Sequence, residues 1–255
     1  MFHFLTDLAL RNKALFVFGL LCFISALIFF ICSRFSNTQV SGINAWIKPI
    51  KFALSIGIYA WTMGWLIYDL PKFSVNPFNI SIIVLLGFEL IYIAFQASQG
   101  QLSHFNLSTP ITRVLYFAMA MAATLVTIYT AYIGIQFCVQ PMPTLPDYFV
   151  WSIRIGIFLF CIFSLEGFVM GSKLSHTIGG PDGGPGLPFL NWSVKYGDPR
   201  IPHFIGMHAL QILPLLSWYV FKNTRLTFLL GGIYFLLAIY TLWLAFQGKP
   251  LIKIN

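Results

Sequence analysis

Residues 14–33 read ALFVFGLLCFISALIFFICS, a run with no charged side chain. At 1.5 Å per residue a helix of this length covers about 30 Å, the thickness of a bilayer's hydrocarbon core. Lipid offers no partner for backbone N–H and C=O groups, so a single spanning segment must satisfy them internally, as a helix does. The stretch reads as a membrane-crossing helix. Arg11 and Lys13 precede it, it is longer than the apolar core of a signal peptide, and CSRFSNTQV beyond it offers no small-residue cleavage site, so it is expected to remain as an anchor. Ahead of it, MFHFLTDLAL spaces Phe4, Leu5 and Leu8 as one helical face, a short amphipathic segment suited to the interface.

Working outward, apolar runs of similar length recur near 47–68, 79–99, 111–136, 148–171, 201–221 and 226–246. None shows the short alternating segments of a membrane barrel. The expected fold is all-α, a polytopic membrane bundle of about seven transmembrane helices forming one transmembrane domain over 1–255. Composition agrees: 58% of residues are hydrophobic and 9% charged, with a mean hydropathy of +0.81, whereas soluble domains carry charge on roughly a quarter of their residues. No linker-like run separates a second domain, and no internal repeat relates the halves. Thr109 with Pro110, Asp147, and Asp198 with Pro199 read as helix starts.

Seven crossings place the termini on opposite faces. The N-terminal face takes Arg11, Lys13, Lys72, Arg154, Lys222 and Arg225; the other takes Arg34, Lys48, Lys51, Arg113, Lys173, Lys195, Arg200, Lys249 and Lys253. The bias puts the C-terminal face in the cytoplasm. The net charge of +8 then reflects orientation and anionic lipid headgroups, and no basic stripe interleaved with aromatics points to nucleic acid. Cys22, Cys32, Cys138 and Cys161 form no CxxC or zinc-finger spacing and are expected to be free thiols.

The polar residues inside the apolar runs carry the functional argument. His104, His176, His203 and His208 map to the C-terminal face. Glu89, Tyr92, Gln96 and Gln99 form one stripe along the third run. Glu166 lies roughly 9 Å below the C-terminal face at 1.5 Å per residue, and His208 at similar depth. An ionisable group in hydrocarbon costs at least ~2.5 kcal/mol on insertion scales, so Glu89 and Glu166 should face the bundle interior, with Lys51, Arg113 and His208 as available partners. The bland alternative is a set of interhelical polar contacts. Residues 172–200, KLSHTIGGPDGGPGLPFLNWSVKYGDPR within them, are too rich in Gly and Pro for a helix and read as a lid-like loop, neither a Walker loop nor an EF-hand.

The segments WIKPIKFALS, QGQLSHFN, GGPDGGPGLPFLNWS and PHFIGMHALQILPLL together resemble a group of uncharacterised bacterial multi-pass membrane proteins. The resemblance implies that these segments belong together, in a bacterial inner membrane, and carries no activity. The chain lacks the paired histidines that zinc-dependent seven-helix hydrolases carry on their last helix.

His203 and His208 are separated by about 140° on a helical wheel, so only one can point into a helical site, and His208 is the expected one. A metal site would combine His208 and Glu166 with His104 or His203 around a transition metal such as zinc. Lys51, Gln96, Arg113 and Gln211 would line the cavity. On this reading Glu166 and His208 are the catalytic pair of a metal-dependent membrane enzyme or cofactor-binding protein acting on a small or lipid-like molecule. The alternative is a transporter, channel or sensor using the same ionisable residues. Depth mismatch disfavours a bis-histidine haem, and no GxSxG or activated thiol supports nucleophilic catalysis.

Overall fold

The computed structural model describes residues 2–253. The protein is an all-α membrane helix bundle: seven helical segments, Lys13–Phe35, Ile47–Asp69, Val75–Ser98, Pro110–Val139, Asp147–Lys173, Arg200–Phe221 and Thr224–Phe246, are long and apolar enough to cross a bilayer. The helices are α1 (Phe2–Arg11), α2 (Lys13–Phe35), α3 (Ile47–Leu66), α4 (Val75–Ser98), α5 (Pro110–Val139), α6 (Asp147–Ser164), α7 (Glu166–Lys173), α8 (Arg200–Leu216) and α9 (Thr224–Phe246). A two-residue antiparallel ladder, Gln39–Val40 with Ile43–Asn44, turns the chain between α2 and α3. The chain divides into two compact units, residues 1–129 and 130–255.

In the first unit α2 and α3 meet through glycine. A Cβ on Gly19 would lie 2.2 Å from Trp61 Cδ1, so only glycine lets the indole seat there. Trp61 Nε1 then donates to the Phe16 carbonyl at 3.0 Å. The amphipathic N-terminal segment is α1, whose Phe4 stacks on Trp65 at 5.0 Å between ring centroids. Arg11 pairs with Asp69 at 3.0 Å and lies over the Trp65 ring. Asn12 caps α2 by accepting from Leu15 N at 3.1 Å, and exchanges two amide hydrogen bonds with buried Asn79 of α4, at 2.9 and 3.0 Å. In an apolar medium such paired amides satisfy each other and fix the register of the two helices.

In the second unit α6 and α8 approach just as closely. A Cβ on Gly156 would meet the Ala209 carbonyl at 3.0 Å, and one on Gly206 would fall 2.1 Å from Phe163 Cγ. Leu159, Phe163, Ala209, Leu213 and Ala238 form the core that this contact opens to α9. Tyr234 of α9 donates its hydroxyl to the Ile205 carbonyl at 2.7 Å. Pro214 sits inside α8, where its missing N–H leaves one rung of the ladder open. Three residues on, the helix widens into a π turn over Ser217–Phe221, and the Ser217 hydroxyl bonds Tyr148 O and Thr227 Oγ1 at 2.9 and 2.8 Å.

The helix starts follow local chemistry with one correction. Thr109 and Thr112 cap α5 reciprocally, each hydroxyl accepting the other's backbone N–H at 3.1 Å. Asp198 Oδ1 accepts the Arg200 N–H at 3.1 Å as α8 opens. Asp147 does not cap α6; Pro146 holds the cap position and Asp147 lies in the first turn, where its charge complements the helix dipole.

Candidate functional site

The fifth membrane-spanning segment is interrupted. α6 ends at Ser164, Leu165 turns, and α7 begins at Glu166. The turn leaves backbone groups outside the regular ladder, and one is claimed by a side chain. His203 of α8 places Nδ1 2.8 Å from the Phe163 carbonyl. A carbonyl only accepts, so Nδ1 carries the hydrogen and Nε2 of a neutral ring presents its lone pair. The ring passes along the first turn of α7: a Cβ on Gly167 would lie 4.0 Å from His203 Cε1.

Glu166, the first residue past the break, is 6% exposed. Its Oε1 is buried and has no hydrogen-bond partner among the described residues. Buried polar atoms are nearly always satisfied, and an unsatisfied carboxyl oxygen is among the costliest exceptions. Seven residues separate Glu166 from the end of α7 at Lys173, so it lies about 10 Å inside the span at 1.5 Å per residue. Leu165 and Phe168 on either side are exposed, as lipid-facing residues are.

The sequence set His208 opposite Glu166; in the structure the histidine at the break is His203. The His208 ring packs on Phe204, 4.3 Å between centroids, and its Nδ1 lies 3.3 Å from Gln211 Oε1 on its own helix. Among the described residues no three His, Cys, Asp or Glu side chains gather as a metal-ligand group, so within the second unit Glu166, His203 and His208 do not form one. The reasons are local: His203 spends Nδ1 on Phe163 O, and His208 turns to Phe204 and Gln211.

The remaining site candidates lie in the first unit. Lys48 of α3 donates from Nζ to His104 Nδ1 at 2.9 Å, with the Phe52 ring beside both. Glu89 is buried on α4 in the same unit. The sequence offers Lys51, Arg113 and His208 as partners for the buried carboxylates and leaves Lys48, one position into α3, as either a site residue or a topology signal. Lys51 is half-buried on α3, whereas Arg113 is exposed and reaches back to the Leu107 carbonyl at 3.4 Å. Gln96 donates to Tyr92 Oη at 3.2 Å and to Leu102 O at 3.0 Å, tying down the loop that carries His104.

Residues 174–199 are folded. Two isolated bridges, Ile178 with Gly197 and Gly186 with Ser193, set the frame. Asp198 is fully buried; its carboxylate accepts from Ser193 N at 2.8 Å and from the Arg200 guanidinium at 2.6 and 2.8 Å. Asp182 accepts from Ser175 Oγ at 2.9 Å and from His176 N at 2.9 and 3.1 Å. Burial pushes this carboxyl up, but hydrogen bonds from Thr177, His176 and Ser175, with the His176 charge, prevail and hold it below the usual carboxylate range.

With known proteins the comparison is blank: no protein-family model, no curated protein and no solved structure matches the chain.

Proposed function

We propose that the protein is a membrane-embedded transporter, channel or sensor whose working group is Glu166, a carboxyl that takes up and releases a proton inside the bilayer. The observation that carries this reading is the buried Oε1 without a partner at a break in a spanning helix. A full negative charge on that oxygen would stand uncompensated in hydrocarbon, so the resting carboxyl holds a proton and yields it only when a positive charge arrives in exchange. At the break the helix tightens to i→i+3 bonds, Leu165 N to Ile162 O and Phe168 N to Leu165 O, and irregular helix at membrane depth is where transporters place ion and substrate groups. His203, with Nδ1 fixed on Phe163 O and Nε2 available, is the neighbouring acceptor on α8. Of the two sequence-based readings this favours transport or sensing over a metal-dependent enzyme, because the latter's ligands do not gather. The membrane is that of a bacterial cell on the resemblance, with the C-terminal face inward on the basic-residue bias.

The test uses dicyclohexylcarbodiimide, an apolar reagent that adds to protonated carboxyls in lipid. Treated in native membranes and mapped by mass spectrometry, Glu166 is expected to carry the adduct, at a rate that falls as pH rises. Absence of the adduct at Glu166 while other carboxyls react would overturn the proposal.

A further inference from the structure

The tip of the loop between α7 and α8 holds an apolar side chain out of the fold. Leu187 N donates to Trp192 O at 2.9 Å, Asn191 N to Leu187 O at 2.7 Å and Leu190 N to Pro188 O at 2.7 Å. This builds a tight turn with Phe189 at φ 62° and Asn191 at φ 56°. Positive φ is unfavourable for a side chain as large as phenylalanine, yet here the fold adopts it and leaves the Phe189 ring 49% exposed. The turn is clamped from behind. Trp192 packs edge-on against Phe204, 5.5 Å between centroids, and Arg200 Nη2 donates to the Asn191 carbonyl at 2.5 Å.

Those clamps fix where the tip sits. Phe204 is four residues into α8, about 6 Å past the start of a membrane-spanning segment at 1.5 Å per residue. Phe204 is itself 43% exposed, on a helix whose uncovered apolar surface meets lipid. A loop whose Trp192 reaches down to that level does not stand off in water; it folds back along the helix to the membrane boundary. Gly197, against which a Cβ would lie 2.0 Å from the Ala245 carbonyl in the last turn of α9, presses the loop's other arm onto the same end of the unit.

We propose that the Pro188–Phe189–Leu190 tip is a lipid-docking surface that inserts Phe189 into the headgroup and acyl boundary of the bilayer the protein spans. Phenylalanine partitions into the boundary region, and Lys195, exposed on the same loop, supplies a positive charge suited to anionic headgroups. The occupant is lipid and not a second copy of the chain, because Trp192 anchors the tip beside Phe204, an exposed ring on a membrane-spanning segment.

The experiment places a nitroxide on Phe189→Cys, in a background with the native cysteines replaced, in nanodiscs containing anionic lipid. Gly184→Cys is the control, since Gly184 is exposed with nothing within 4 Å of a built Cβ. The expected result is collision with oxygen exceeding collision with a water-soluble nickel chelate at 189, and the reverse at 184. A nickel-dominated signal at 189 overturns the proposal, and so does an immobilised label shielded from both, which would indicate a protein partner. If the labelled variant fails to fold, Phe189→Trp takes its place. The difference in fluorescence quenching by brominated lipid between that variant and the wild type should be positive, and zero difference overturns the proposal.

Discussion

His203 of α8 donates its Nδ1 hydrogen to the carbonyl of Phe163, 2.8 Å away, at the point where the fifth membrane-spanning segment breaks. The bond ties the break to the neighbouring helix, and the same Phe163 ring fills the space left by Gly206. One residue thus couples backbone geometry to interhelical packing.

Removal of the donor strands a buried acceptor, which costs about 1–3 kcal/mol. His203→Ala is expected to lose that much stability in detergent, measured by thermal or denaturant unfolding, and His203→Gln to recover part of it. No loss in His203→Ala would mean that the Phe163 carbonyl finds another donor without help.

Glycine placement separates two variants that look alike on paper. Gly206→Ala forces a methyl into Phe163, an overpacking expected to cost about 1–3 kcal/mol. Gly232→Ala in α9 meets nothing within 4 Å and should be neutral or stabilising by up to about 1 kcal/mol through helix propensity. Unfolding midpoints of the two proteins, measured side by side, check the contrast.

The reciprocal Asn12 and Asn79 bonds should show as coupling. Polar pairs inside membrane bundles contribute about 0.6–1.7 kcal/mol, and a double-mutant cycle with Asn12→Ala and Asn79→Ala should return a value in that range. Strict additivity would show that Asn12 acts as the α2 cap alone.

Asp182 gives the loop an acid limit. Its folded-state carboxyl is held below the ordinary range, so its contribution is present above the unfolded value and disappears as pH falls through the folded one. Hydrogen exchange at the His176 amide should stay protected through mildly acidic pH and open only below the usual aspartate range. Asp182→Asn should weaken protection at neutral pH and flatten the dependence.

The seven spans were legible because length and apolarity in lipid leave only one backbone solution, and Thr109 with Pro110 and Asp198 with Pro199 marked two helix starts. The break was not legible. SLEG at 164–167 lowers the hydropathy of the run, but a single glutamate accounts for most of the drop and nothing in the stretch announces a turn at Leu165. The choice between His203 and His208 turned on wheel angle and on a depth matching Glu166, while the carbonyl that recruits His203 is a backbone group, invisible to side-chain patterning. Arg113 is available in the sequence as a cation for the buried carboxylates, but its exposed side chain reaches back to the Leu107 carbonyl. Lys48, which donates to His104 beside the Phe52 ring, is open in the sequence to either role, topology signal or site residue, and nothing there pairs it with His104.

The central claim is that Glu166 is the proton-binding group of the membrane interior. Difference infrared spectroscopy across a pH step, on the whole protein in lipid, reads the carbonyl stretch of a protonated carboxyl directly. The account predicts a protonated-carboxyl band in the wild type that is absent from Glu166→Gln and retained in Glu89→Gln. A band unchanged by Glu166→Gln would contradict it.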